Sequence, residues 1–288
     1  MPPMIHYNPR AMRSPLEDYL QKSLAELKAI LIDRERRPPH GLLEALEQDP
    51  RRAAQHLAQR LRNQQSRNRA EGQRLRHLLR FERELWADGY ALVAGVDEAG
   101  MAPLAGPVVA GAVILPRAYR LSGLDDSKKI LDESRRAALA VQIKADAVSW
   151  SAGWAEVEEI DRFNIYQAGL LAMRRAVEAL NSSPDFILVD ARRIPDCAIA
   201  QRGIIRGDQL SASIAAASII AKTTRDEHLI ELDRVYPGYG LAAHKGYPTP
   251  EHLDALRRLG ALPIHRRSFR PVREALGLEP IQERLFEG

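Results

Sequence analysis

Leu16, Leu20, Leu24, Leu27 and Leu31 recur at three- and four-residue steps, which predicts a helix with one apolar stripe. Ser14-Pro15-Leu16-Glu17 is a capping box with proline at the first helical position, and Pro38-Pro39 ends the run. Asp49-Pro50 opens a second helix with Ala53, Leu57 and Leu61 on one face. A third is predicted from Glu71 to Asp88, with Leu75, Leu78, Leu79 and Leu85 apolar and Gly89 as its stop. At Tyr90 the pattern changes. Ala91 to Val96 is a nearly unbroken apolar run, predicting a buried strand that ends in Asp97-Glu98, and Val108 to Leu115 predicts a second. A third strand is predicted over 148–157, a helix over 158–180, a short strand over Phe186 to Val189 ending in Asp190, and a long helix from Ser211 to Tyr236. Adjacent strands followed by alternating helices and strands predict an α/β domain on a mixed sheet. The chain thus divides into a helical extension, 1–88, and an α/β domain, 89–288, with a helical C-terminal part.

At 288 residues there is room for both pieces, and 45% apolar with 28% charged residues is globular composition. Cys197 is the one cysteine, which excludes a disulfide framework and a cysteine-built zinc site and predicts a reducing, cytoplasmic setting. No run of about 18 apolar residues occurs, and Met1–Arg13 lacks the apolar stretch of a signal peptide, so neither a membrane span nor secretion is expected. The net charge of +4 is unevenly placed. Residues 1–88 hold 17 lysines and arginines against 12 acids; residues 89–288 hold 25 against 26. Ten arginines fall within 51–83, so the extension carries either a solvated helix face or a surface for a polyanion.

Acids after apolar strands carry the chemistry. Asp97, Glu98 and Asp190 stand where open α/β sheets gather ligands, and converging carboxylates repel one another unless a cation lies between them. An oxygen-only donor set suits Mg²⁺ or Mn²⁺. Each acid by itself reads equally as the cap of a following turn. Asp208 is a fourth ligand or a helix-capping turn residue, while Asp226, inside the long helix, is expected in ion pairs. Asp126-Ser127-Lys128-Lys129 is a phosphate-holding or a solvated loop. Tyr247, beside Gly246, offers its ring to a sugar or base or packs under a turn. His265 to Arg270 contacts phosphates or anchors the C-terminal helix to the sheet.

Gly95-Val96-Asp97-Glu98-Ala99-Gly100 and Pro103-Leu104-Ala105-Gly106-Pro107-Val108-Val109 closely resemble the opening motif of bacterial ribonuclease HII. The likeness continues in order through Asp126-Ser127-Lys128-Lys129, Glu159-Ile160-Asp161 with Asn164-Ile165, Leu188-Val189-Asp190 and Gly207-Asp208. Ala215 to Ile219 with Ala221-Lys222 and Arg225-Asp226, His244-Lys245-Gly246-Tyr247 and His265 to Phe269 complete it over roughly 89–275. The resemblance implies an RNase H-like mixed sheet flanked by helices, behind an N-terminal all-helical extension. It implies that Asp97, Glu98, Asp190 and Asp208 bind two divalent ions, Mn²⁺ or Mg²⁺, and that Asp97 bridges them. Glu98 and Asp190 would lie toward one ion and Asp208 toward the other. The implied activity is hydrolysis of the RNA strand of RNA–DNA hybrids, or at a ribonucleotide within duplex DNA, leaving 3′-hydroxyl and 5′-phosphate ends. Ser127 and Lys128 are the matching phosphate contacts, Tyr247 stacks on a sugar at the junction, and a monomer is expected.

One departure stands out. The family has Gly-Arg-Gly where this chain has Gly100-Met101-Ala102, the tripeptide that reads the 2′-hydroxyl. Met101 removes a charge, and Ala102 adds a Cβ that penalises positive φ where the loop needs it. A lost direct charge-assisted contact costs roughly 1.5–3 kcal/mol. Metal-dependent cleavage is therefore expected to survive, with weaker recognition of a single embedded ribonucleotide. The alternative is a protein of the same fold that binds hybrids with attenuated or no cleavage. A second, milder departure is Ala191 in place of the usual glycine.

Overall fold

The computed structural model describes residues 14–34, 36–117 and 119–278; the expectation about Met1–Arg13 lies outside them. The chain forms two compact units, Met1–Gln73 and Arg74–Gly288. The first holds α1 (Pro15–Leu20), α2 (Leu24–Lys28), a π-helical turn (Ala29–Asp33), α3 (Leu42–Gln48) and most of α4 (Arg52–Leu78). The single helix expected from the leucine spacing is broken after Leu20. A second capping box causes the break: Ser23 caps Glu26 N–H, and the Glu26 carboxylate accepts from Ser23 N–H at 2.8 Å. Leu27, Leu31, Leu42, Leu46, Ala54, Ala58 and Leu61 form this unit's core. The second and third expected helices also differ from prediction. Residues 62–71 contain no breaker, and Gly72 alone costs only about 1 kcal/mol, so α4 continues through to Leu78.

The second unit continues with α5 (Arg80–Ala87), β1 (Val93–Ala99), β2 (Val108–Ile114), α6 (Glu133–Asp146), β3 (Ser149–Ala155), α7 (Val157–Phe163) and α8 (Ile165–Glu178). Then come β4 (Phe186–Asp190), β5 (Ala200–Ile204), α9 (Gly207–Leu210), α10 (Ala212–Val235), α11 (Leu241–His244), α12 (Pro250–Leu259) and α13 (Arg270–Ala275). The helix expected over 158–180 is two, because Asn164 takes φ 72° and its side chain caps α8 through Tyr166 and Gln167 N–H. The sheet order is β3-β2-β1-β4-β5, with β3, β2 and β1 antiparallel and β1, β4 and β5 parallel. α10 lies on one face so closely that a Cβ at Gly95 would meet Ser213 backbone at 2.0 Å, and one at Gly111 the Ala217 carbonyl oxygen at 2.3 Å. α8 covers the other face, where Val96, Ala110 and Ala112 pack with Ala172, Met173 and Ala176.

The unit boundary falls earlier than the change of pattern at Tyr90, for a packing reason. Leu75, Leu78 and Leu79 are buried with Val113, Ile143 and Ala216, and Leu85 with Val93, Leu188 and Ile214. Glu82 is fully buried and accepts from the Ser211 and Ser213 hydroxyls and from Ser213 N–H at 2.9 Å, so α5 supplies the anion at the N-terminus of α10.

Candidate active site

Strand register brings the acids together. Val96 pairs with Val189 in the parallel β1–β4 ladder, so the next residues, Asp97 and Asp190, leave the sheet side by side. Asp190 pairs in turn with Ile204 of β5, and Asp208 lies just beyond, in α9. Strand alternation then separates the adjacent pair. Asp97 shares the α10 face with Gly95, and Glu98 shares the α8 face with Val96. All four acids thus meet at the carboxyl ends of three parallel strands, where a doubly covered sheet leaves its crevice.

Each acid is held differently. Asp97 is 2% exposed; its Oδ1 accepts Glu98 N–H at 2.8 Å, and its Oδ2 is buried with no partner. Burial, then the charges of Glu98 and Asp190, push Asp97 well above the usual carboxylate range, against the Ser218 hydroxyl and Lys128. Glu98 Oε1 lies 3.2 Å from Arg192 Nη2, while its Oε2 is buried and unpartnered. Burial raises Glu98 too, with Arg192 opposing. Asp190 Oδ1 accepts Gly207 N–H at 2.6 Å. Asp208 Oδ2 lies 3.4 Å from Lys128 Nζ; burial and then Asp126 and Asp190 raise it. For Lys128 itself, burial alone would lower the ammonium, but Asp97, Asp208 and Asp126 outweigh it and raise it.

Among the described residues, no three carboxylate, imidazole or thiolate groups stand already closed around one ion. Repulsion explains the arrangement: the acids turn instead to Arg192, Lys128 and Gly207 N–H. The residues nevertheless fit a divalent metal. The donors are all carboxylate oxygens, and Asp97 Oδ2 and Glu98 Oε2 are buried with no hydrogen-bond partner.

The residues expected to meet substrate are placed unevenly. Lys128 is at the cluster, but Ser127 is buried and shares a 2.7 Å hydrogen bond with the Ser218 hydroxyl, behind it. Tyr247 is 39% exposed, with Lys222 Nζ 5.7 Å from its ring centroid, and its carbonyl is held by His252 Nδ1 at 2.9 Å. In the 100–102 loop the positive φ, 95°, falls on Gly100, where a Cβ would meet Arg225 Nε at 2.2 Å. Ala102 has no positive φ, so the expected backbone penalty does not arise there; Ala191 bears it instead, with φ 50°.

Two buried arginines frame the loop. Arg225 donates to the carbonyls of Pro107, Lys245 and Ala105 at 3.0, 3.0 and 2.9 Å. Arg266 donates to those of Gly106, Met101, Gly100 and Pro107. Of the two readings of residues 265–270, anchoring holds for Arg266, but to the 100–107 loop between β1 and β2 rather than to the sheet itself. Ser268 and Arg267 complete the anchoring by donating backbone N–H to Asp161. Asp226 makes the expected ion pairs, with Lys222 and with Arg136 of α6. Sequence reasoning missed Arg192, Asp126 and Ser218 as neighbours of the cluster. Arg192 had one local signal, its place two residues after a strand-end acid; Ser218 lay inside the 215–219 motif segment, where nothing local sets its hydroxyl apart from its small neighbours.

Residues 94–272 match the model of the family Ribonuclease HII, and residues 23–86 that of the Ribonuclease HII N-terminal domain. Ribonuclease HII of Myxococcus xanthus (strain DK1622) is 66% identical over 263 residues, covering 91% of this chain and 90% of its own. That of Geobacillus thermodenitrificans (strain NG80-2) is 55% identical, covering 82% and 90%. Among solved structures, ribonuclease H2 from Pyrococcus horikoshii OT3 is similar with a TM-score of 0.56 and 25% identity, over 64% of this chain and 97% of that one.

Proposed function

The chain belongs to the ribonuclease HII family, metal-dependent endonucleases that hydrolyse the RNA of RNA–DNA hybrids, and we infer that it does so with Asp97, Glu98, Asp190 and Asp208 as ligands of two divalent ions, Mn²⁺ or Mg²⁺. The observation that carries this assignment is the pair of buried, partnerless oxygens, Asp97 Oδ2 and Glu98 Oε2, among four acids at three parallel strand ends. Two bound ions would activate a water, hold the scissile phosphate and stabilise the departing 3′-oxygen. Asp97, Glu98, Asp190 and Asp208 would together hold the ions, with Asp97 lying next to both Glu98 and Asp190. Gly207 N–H fixes the orientation of Asp190, and Ser218 supports Asp97 from α10. Lys128 turns from Asp208 to a backbone phosphate, with Ser127 positioning its loop through Ser218. The exposed Tyr247 ring stacks on the sugar, and Gly100, Met101 and Ala102, their loop fixed by Arg266, lie along the 2′-hydroxyl.

The products are 3′-hydroxyl and 5′-phosphate ends, from uniform hybrids and from ribonucleotides within duplex DNA. The protein acts as a monomer in the cytoplasm. Among the described residues no helix is long and apolar enough to cross a membrane, and Cys197 is free. In the first unit, Arg36, Arg37 and Arg69 line one cleft with Gln64, Gln65 and Asn68, a surface for the nucleic-acid backbone. Replacing those three arginines with glutamine should weaken hybrid binding and flatten its salt dependence; an unchanged slope leaves the cleft without that role.

The decisive test is cleavage mapping on an all-ribo hybrid and on a single-ribonucleotide duplex, with Mg²⁺ and Mn²⁺ in turn. Metal-dependent internal nicking is expected on both. Hybrid affinity without nicking would favour the binding-only alternative, and release of mononucleotides from an end would point to a different nuclease.

A further inference from the structure

Arg192 reaches the acid cluster from an unexpected direction. It follows Ala191, whose left-handed backbone turns the chain at the end of β4. Its guanidinium lies 4.9 Å over the Tyr166 ring, and Nη2 lies 3.2 Å from Glu98 Oε1. Nη1 is buried and has no hydrogen-bond partner. Both Nη1 and the sulfur of Met101 rest on Gly169: a Cβ there would meet them at 2.8 and 3.1 Å. Residues 100–102 carry no charge, so at this edge the cation stands on Arg192.

Resting on the carboxylate assignment above, we propose that Arg192 is a substrate-binding residue that takes a phosphodiester oxygen once Glu98 engages metal. The physical sequence is short. The guanidinium is half-buried, with 18% of the side chain exposed, and Glu98 is its one anionic partner among the ion pairs of the described residues. When Glu98 turns to an ion, Nη1 and Nη2 are left side by side without an acceptor. The released Nη2 can donate to a phosphate oxygen, while Nη1 stays buried against Gly169 and holds the guanidinium in place. Tyr166 holds the plane in place, so little side-chain entropy is lost. Met101 completes the arrangement: its apolar side chain fills the space over Gly169 where a second cation would repel Arg192.

The test measures hybrid affinity in saturating Mg²⁺ in an Asp208→Asn background, which spares the Arg192 side of the cluster and does not cleave. Arg192→Met should weaken binding on the order of tenfold or more, and reduce the slope of log affinity against log salt by about 0.7–0.9, one phosphate contact. Arg192→Lys should keep the slope. Met101→Arg added to Arg192→Met should recover it, since both positions overlie Gly169, whereas Met101→Arg alone should gain nothing. An unchanged affinity and slope in Arg192→Met would reduce Arg192 to a counter-ion of Glu98 and overturn the proposal; so would failure of the double variant to recover. Arg192→Gln repeats the measurement should methionine disturb the fold. Nicking by the unsubstituted protein is followed in parallel, because its absence sinks the carboxylate assignment, while the salt slope reports on Arg192 alone.

Discussion

Two neighbouring regions bury charge in opposite ways. Under the 100–107 loop, Arg225 and Arg266 are 1% and 0% exposed, and together they donate seven hydrogen bonds to backbone carbonyls. Burial lowers them to about 10 and about 9, so both stay charged at neutral pH. At the strand ends, Asp97 and Asp208 are buried and Glu98 is partly so, yet the acids are incompletely paired, and an oxygen each of Asp97 and Glu98 has no partner. A buried charge whose hydrogen bonds are complete is a frame; several acids left incomplete side by side at strand ends make a candidate ligand site. The frame holds the backbone of the 100–107 loop, and the incomplete cluster is the candidate site.

The sharpest way to break the contrast is to damage the frame. Arg266→Met leaves the carbonyls of Gly100, Met101 and Gly106 without this donor and should destabilise the metal-free protein by roughly 3–5 kcal/mol in denaturant unfolding. Arg266→Lys should rescue little of this, because an ammonium lacks the planar fork. A loss under 1 kcal/mol would contradict the assignment of a frame.

Acid should attack the same region from beneath Tyr247. His265 Nδ1 accepts Leu262 N–H, so its Nε2–H is donated to His252 Nε2, and His252 Nδ1–H is left for the Tyr247 carbonyl. Burial, then the His252 charge, depress His265 to about 4. Its stabilising contribution is therefore complete above about pH 6.5 and is lost as pH falls toward 4, on the order of 3 kcal/mol. Unfolding measured across this window should show the slope in the unsubstituted protein and a flatter one in His265→Asn.

The cluster should respond with the opposite sign. Asp97 is raised by burial and by its acidic neighbours, so ionising it costs stability as pH climbs above the ordinary carboxylate value. Asp97→Asn is expected to abolish cleavage yet stabilise the metal-free protein by about 1–2 kcal/mol at pH 8. Mn²⁺ should raise the melting temperature of the unsubstituted protein more than that of the variant. A metal-free variant less stable than its parent would mean that the cluster is another frame. The smallest effect is expected at Ala191, where glycine relieves the φ of 50° and should add about 0.5–1 kcal/mol without altering the acids.

Much of the site was legible because acids after apolar strands are a local signal, and strand identity is local too. The order β3-β2-β1-β4-β5 was not legible, although it alone brings Asp97 beside Asp190. Helix breaks at Leu20 and Asn164 were hidden by apolar spacing that carries on across a cap, whereas the merging of α4 shows that one glycine is too weak a breaker. Expectations for individual side chains fared by how far their partners lie along the chain. Ser127 looked like an open-loop hydroxyl until Ser218 covered it, and Ala102 looked strained until the positive φ was found at Gly100 and Ala191.

By itself, then, the sequence determined the helical extension, the strands, the candidate carboxylates and the family, since each is written in short spacings or in an ordered series of motifs. Only the tertiary structure decided which buried charges are complete. Arg266 finds its acceptors about 160 residues away and Arg192 meets Glu98 across two strands, and no local period encodes a hydrogen bond made at that separation.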